Sequence, residues 1–427
     1  MTRAAPGKGA GGQAPHPPAR SASWTVVAAA AFVLAVAAVA VRTHGHLNVP
    51  DDPSVLDRYG LQDFRDAIYY PVVALLDGHN PYDAADYLHR YPVANPVRLY
   101  LPAMLFLYLP LGLLPYGMAE ALFFGLNVAL VPLLVHHGLR LARVESTAPR
   151  VLGLGAFVVL SRPGLMTLFI GQSAVYMTLG LYLALRFART RPGLAALGFA
   201  LTCVKPTFGL PLGILLLARG DYRPALVGGA VAAVASAAAA VPLAGAAGSF
   251  GAWITSLTAA SNMGDDAHNV IVQSYVRVDA ASLLGRLCQV EPSGAAQAVL
   301  LVAVLALGAV AVRKLANSPG SHTAVSAGVV SATTLACVYH QTYDCLLLLA
   351  PLFASVAGTV GSGGRRWLLA ALLIVPFVNY FATLTAIGAF GIQGLIWRLV
   401  ASVNAAAVTG AFLLLLREAA GTSLAAG

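Results

Sequence analysis

The amino-acid sequence predicts an all-α, polytopic membrane protein, and three observations carry that expectation. Of 427 residues, 58% are apolar and only 10% charged, with a mean hydropathy of +0.76. Soluble domains run near half apolar and a quarter charged, so a water-soluble enzyme of this size is excluded. Long stretches lack Asp, Glu, Lys and Arg: 24–41, 99–119, 121–139, 163–185, 224–264, 292–312, 315–343, 345–364, 367–397 and 399–416. None alternates with period two as a barrel strand does, so backbone groups in lipid must be satisfied within helices. At roughly 20 residues per crossing, these stretches correspond to about 12 transmembrane helices.

Taken in order, residues 1–23 are rich in Pro, Gly and Ala without an apolar run, which predicts a disordered cytoplasmic tail. The first span begins at Trp24 and lacks a convincing cleavage site before Arg42, so it reads as an uncleaved anchor. Residues 24–417 form one membrane-embedded unit, with large outer loops at about 43–98 and 248–291 and a short tail at 418–427. In the first loop a helix from about Leu61 to Leu76 places Phe64, Ile68 and Val72 on one apolar face, to lie on or dip into the membrane surface. Asp-Gly-His-Asn-Pro-Tyr at 77–82 then supplies a turn. Residues 192–218 read as two half-length helices meeting at Lys205-Pro206, because Pro breaks a helix and irregular backbone is tolerated where it lines a cavity.

Charge sets the orientation. The 26 Lys and Arg exceed the 17 Asp and Glu by 26 − 17 = 9. In a membrane protein this excess reports cytoplasmic loops rather than a nucleic-acid partner. Arg3, Lys8, Arg20, Arg186, Arg189, Arg191, Arg219, Arg223, Arg313, Lys314, Arg365, Arg366 and Arg417 all fit one cytoplasmic side, with the N-terminus there, in a plasma membrane. Arg140, Arg143 and Arg150 conflict with this if 99–115 and 118–138 are both full spans. Four scattered cysteines make neither a disulfide scaffold nor a zinc site.

The candidate chemistry lies on the outer side. Residues 51–98 hold 8 of the 17 acids, interleaved with aromatic residues. Any one of them can simply be solvated, but Asp63 and Asp66 abut an apolar helix face, where a carboxylate is poised as a general base. Lys205, in LTCVKPTFGLPLG, is an ionisable residue at membrane depth, which is expensive and suits an anionic phosphate; capping of broken-helix carbonyls is the other reading. Arg98, at the end of the acidic loop, is an alternative phosphate partner. His340, Tyr343 and Asp344 interrupt two apolar runs, and Gln172 marks a further polar spot. Asp265, Asp266, His268, Asn269 and Arg277 lie in a polar insert at 262–279, read as a lid or a solvated connection. No phosphate-binding Gly loop and no metal-ligand motif appears.

The order of Asp63-Phe64, LLDGHNPYD, RLYLPAMLFLYLPLGLLPYG, GQSAVYMTLGLYLAL, LTCVKPTFGLPLGILLLARGDYR and YHQTYDCLLLLAPL resembles glycosyltransferase family 87 of the GT-C superfamily. That resemblance covers roughly residues 60–355 and extends to polyprenyl-phosphate-mannose-dependent mannosyltransferases and mycobacterial arabinofuranosyltransferases. It implies a GT-C-like fold, with the first-loop Asp as catalytic base on Asp63, or on Asp66 if the helix register differs. The family's Tyr-Pro-Pro is represented by Tyr100-Leu101-Pro102. The implied activity is inverting transfer of mannose or arabinofuranose from a polyprenyl-phosphate donor to a cell-envelope lipid or glycan acceptor, on the outer face. No cofactor is implied, and a divalent metal is neither required nor excluded. The alternatives are a transporter or flippase, which predicts paired broken helices of which one strong break is evident, and a structural membrane protein without chemistry.

Overall fold

The computed structural model describes residues 20–44, 60–97, 100–262, 270–318 and 322–424. Residues 1–19 of the N-terminal tail, Arg98 and Asp265 to Asn269 lie outside the described residues, while Arg20 to Ser23, expected in the tail, open the first helix, Arg20–His44. Among the described residues helices are the only regular elements, apart from one antiparallel bridge between Arg277 and Gln341.

Five helical segments are long and apolar enough to cross a membrane: Ala22–Thr43, Tyr116–Leu141, Tyr222–Ala246, Gly294–Asn317 and Gly394–Gly421. The pair Ala148–Leu160 and Arg162–Ile170, bent by 69°, makes a sixth. The chain is therefore a multi-pass membrane protein, with fewer full-length spans than the twelve expected. Ala174–Phe187, Pro192–Cys203, Pro206–Ala218, Thr323–Cys337 and Thr342–Ala357 are apolar but only 10–17 residues long. At 1.5 Å per residue such helices reach about 15–25 Å, short of a full hydrocarbon thickness.

Polar segments gather at two ends of this bundle. At one end Leu61 N–H donates to Phe169 O at 2.6 Å, Leu101 N–H to Val204 O at 2.9 Å, and Val278 N–H to His340 O at 3.0 Å. We call this the site end. At the other, the basic end, Arg186 donates to His137 at 2.7 Å, Arg219 pairs with Asp221 at 3.2 Å, and Arg365 pairs with Glu418 at 3.6 Å. Ala174–Phe187, Pro206–Ala218 and Thr323–Cys337 run from one group to the other, because each begins beside one and finishes beside the other.

Several sequence expectations need correction. Residues 99–119 do not form a span. They fold into two short helices, Ala103–Leu107 and Leu109–Gly112. Leu101 is bound at the site end, and Leu114 O accepts from Tyr69 Oη at 2.8 Å at that same end. Pro102, Pro110 and Pro115 remove backbone donors and break the run. Tyr116–Leu141 therefore starts at the site end and delivers Arg140 and Arg143 to the basic end, where Arg150 opens the next helix. The charge conflict disappears. The stretch 163–185 is likewise divided at Gly171, where the chain reverses, and 224–264 is divided at Gly248. The final helix continues past Arg417 to Leu424, so residues 418–424 extend it rather than forming a tail.

The helices carrying Gln172 and Lys205 at their site ends touch backbone to backbone. A Cβ on Gly180 would lie 2.6 Å from Gly198 O, and a Cβ on Gly198 2.5 Å from Gly180 O. Small residues permit this approach, as is usual where helices pack in lipid. Cysteines placed at Arg143 and Arg189 should be labelled by an impermeant thiol reagent from one side of the membrane, and a cysteine at Asp83 from the other. Labelling of positions 143 and 189 from opposite sides would break the two-end assignment.

Candidate functional site

The first limb of the site is the loop helix expected from sequence, built as Gln62–Phe64, a π turn Arg65–Tyr69, and Tyr70–Leu76. Phe64, Ile68 and Val72 are buried, as their spacing predicts, and Phe64 stacks on Phe123 with ring centroids 4.6 Å apart. Gly171 ends the helix Arg162–Ile170 with φ +77°, and a Cβ there would meet Phe64 Cβ at 2.6 Å. Only glycine satisfies both the left-handed backbone and that closeness. The result is that Gln172 lies against Asp63, and its side-chain amide donates to the carboxylate. Gln172 Oε1 in turn accepts from Tyr100 Oη at 3.1 Å.

Asp63 and Asp66, three residues apart, have different surroundings. Asp66 is buried, pairs with Arg65 at 2.7 Å, and accepts from Ala94 N–H at 3.2 Å, Asn95 N–H at 3.0 Å and Asn95 Nδ2 at 3.0 Å. That set uses the acceptor capacity of a carboxylate, and it pins the 91–97 segment to the loop helix. Asp63 is half-buried, and among the described residues it accepts from Gln172 alone. Burial raises the Asp63 carboxyl to about 6; the Gln172 hydrogen bond opposes this, the Asp66 charge adds to it, and the Lys205 and Arg65 charges oppose it. Burial also raises Asp66, against the charge of Arg65.

The second limb is the tip of the hairpin between Pro192–Cys203 and Pro206–Ala218. Pro206 starts the second helix at a position where its missing N–H costs nothing, leaving Lys205 extended at the turn. Lys205 Nζ lies 3.3 Å from Asp344 Oδ2, over the faces of Tyr343 at 5.0 Å and Phe208 at 5.4 Å. His340 Nδ1 is 2.9 Å from Asp344 Oδ2, and its Nε2 is 3.2 Å from Thr207 O. Gln341 N–H donates to Asp344 at 3.1 Å, so the same carboxylate caps the following 3₁₀ turn, Thr342–Leu348. Tyr100 joins the limbs. Burial pushes its phenol up, with Tyr176, Asp63 and Asp344 adding to the effect.

Seven of the residues selected from sequence thus come together: Asp63, Tyr100, Gln172, Lys205, His340, Tyr343 and Asp344. Asp66 is set apart by its own partners. Sequence reasoning missed Tyr108 and Tyr176, whose hydroxyls, with that of Ser173, extend the polar cluster at 2.6–3.1 Å. Tyr108 was hidden inside an expected span. It also missed Arg162, whose guanidinium donates to Asn379 O at 2.9 Å at the bend. Among the described residues no group of three His, Cys, Asp or Glu is placed to hold a metal. Beside the hairpin tip an apolar groove of about 370 Å³ runs along Leu101, Cys203, Pro206, Gly209, Gly213 and Leu217.

These surroundings separate the two carboxylates experimentally. Asp66→Asn removes the buried carboxylate that binds Arg65 and the 94–95 backbone and should cost about 3–5 kcal/mol. Asp63→Asn retains an acceptor for Gln172 and should unfold close to the parent temperature in detergent. Equal losses in thermal unfolding would contradict the division.

No curated protein and no solved structure matches the chain. Glycosyltransferase family 87 matches residues 99–340, which is 242 of 427 residues and includes Tyr100, Gln172, Lys205 and His340. With more than half its length matched, including four of the seven gathered polar residues, the chain belongs to glycosyltransferase family 87.

Proposed function

We propose that this glycosyltransferase moves a sugar, mannose or arabinofuranose, from a polyprenyl-phosphate donor to a lipid or glycan acceptor of the cell envelope. The supporting observation is a buried cation, Lys205, at the hairpin tip whose neighbours Cys203 and Pro206 line an apolar groove, with a carboxyl of raised pKa in the adjoining limb. A prenyl chain suits the groove, and its single phosphate suits the ammonium at the hairpin tip. A nucleotide sugar would instead need a phosphate cradle, usually a Gly-rich turn opening a helix. In this reading the site end faces outward and the N-terminus lies in the cytoplasm, with the arginine-rich end inside.

Transfer requires one displacement. The acceptor hydroxyl oxygen attacks the anomeric carbon from the face opposite the phosphate, and its proton passes to Asp63. The bond from the anomeric carbon to the phosphate oxygen breaks, and the phosphate leaves with that electron pair, so the configuration inverts. Lys205 stabilises the charge growing on the phosphate. Gln172, held by Tyr100, fixes the rotamer of Asp63. Asp344 and His340 hold Lys205 and the hairpin tip in register. Asp66 maintains the loop helix and takes no proton.

Three measurements test this. Asp63→Asn should fold yet lose about 10²–10⁴ in rate. In the parent, the base works only when ionised, so the rate should rise with pH through about 6 and level off above it. Gln172→Leu removes a hydrogen bond that favours the carboxylate and should move that rise to higher pH; an unmoved profile would discard the coupling. For the second limb, Lys205→Met alone strands the buried Asp344 charge, whereas Lys205→Met with Asp344→Asn removes both charges and should recover stability. A stable double variant with parental turnover would make Lys205 a structural partner only. Finally, the purified protein should transfer sugar from a polyprenyl-phosphate sugar with no nucleotide present. Transfer from a nucleotide sugar alone would overturn the donor assignment.

A further inference from the structure

At the basic end, remote from Lys205, a pocket of about 220 Å³ opens between Arg186, Arg189 and Arg219 on one side and His322, Thr323 and Ser326 on the other. Its remaining walls, from Leu185, Leu315 and Ala316, are apolar. One buried acid, Asp221, faces the arginines, 3.6 Å from Arg189 and 3.2 Å from Arg219. Arg186 donates to the imidazole of His137 at 2.7 Å, a contact that leaves its charge uncompensated. The Arg313 guanidinium lies nearby, 3.8 Å from where a Cβ on Gly220 would stand. The local balance is strongly positive.

Two further features point to an anion. The pocket sits at the positive end of the dipole of the 15-residue helix Thr323–Cys337. Ser326, only 7% exposed, lines the pocket, and its hydroxyl has no partner among the described residues. Guanidinium forks, a hydroxyl and a helix N-terminus together match the geometry of phosphate oxygens.

We propose that this pocket binds the phosphate of an anionic membrane lipid in the leaflet at the basic end. A lipid fits better than a free ion because the pocket lies at the ends of apolar helices, where headgroups reside, and has apolar walls beside the arginines. Basic pockets between transmembrane helices at the membrane surface hold such headgroups. The bound lipid would bridge Ala174–Phe187, Pro206–Ala218, Gly294–Asn317 and Thr323–Cys337, two of which carry site residues at their far ends. The inference is independent of the donor assignment.

Native mass spectrometry of the detergent-purified full chain, with phosphatidylglycerol or phosphatidylcholine added, tests it. The parent should retain phosphatidylglycerol and not phosphatidylcholine. Arg186→Gln with Arg189→Gln should weaken retention about tenfold or more. Ser326→Ala, which removes one hydroxyl and threatens no fold, should weaken it about fivefold. Arg417→Gln removes an exposed charge at the same end outside the pocket and should leave retention unchanged. Equal retention of both lipids, or equal loss in Arg417→Gln and the pocket variants, would overturn the site. Displacement of the lipid by inorganic phosphate at equal concentration would assign the pocket to a soluble anion and overturn the lipid.

Discussion

The buried carboxylate of Asp344 is the constraint on which the site end depends. A charge taken out of water survives only with partners that replace its hydration, and Asp344 gathers them from the hairpin tip and from its own stretch of chain. Lys205 comes from the hairpin tip, His340 from the preceding loop, and the Gln341 amide from its own turn. His340 then reaches back to Thr207 O, closing the loop onto the hairpin. Each partner satisfies a need of its own: an ammonium at membrane depth, an imidazole at the centre of the bundle, and an orphan amide at a helix start. Removing the carboxylate would expose all three needs together, which is why the two chain segments, 137 residues apart at Lys205 and Thr342, stay in contact.

The first limb uses a different device. On a regular helix, residues three apart are neighbours on one face, and Asp63 and Asp66 would be expected to share an environment. The π turn Arg65–Tyr69 begins between them. π turns are frequent where a side chain must be redirected for function, and here Asp66 turns into the 94–95 backbone while Asp63 meets Gln172. One carboxylate is spent on structure and the other is left with a single amide partner and a raised pKa. That asymmetry, rather than either residue type, separates the two carboxylates.

The apolar groove runs along Pro206–Ala218 as far as Leu217, and the basic pocket begins just past the end of that helix. Pro206–Ala218 contributes Pro206, Gly209 and Gly213 to the groove, and the next residue after its end, Arg219, lines the basic pocket. Among the described residues the hairpin tip, the Gly171 turn and the folded 100–115 segment gather at one end.

Composition alone determined that the chain is helical and lies in a membrane, because 58% apolar residues with 10% charged cannot be dispersed in water. Spacing determined the amphipathic loop helix, and the isolation of Lys205 beside Pro206 marked the broken hairpin. The motifs also indicated the family and most residues of the site. Which charge-free stretches actually cross, and where they reverse, was decided only in three dimensions. The absence of charge shows that a segment tolerates hydrocarbon, but it carries no information about direction, so 99–119 looked like a span until Leu101 and Leu114 were seen bound at one end. The division of labour between Asp63 and Asp66 was equally invisible in the sequence. A carboxylate's role depends on which distant donors fill its lone pairs, and Gln172 and Asn95 reach the helix only through the tertiary fold.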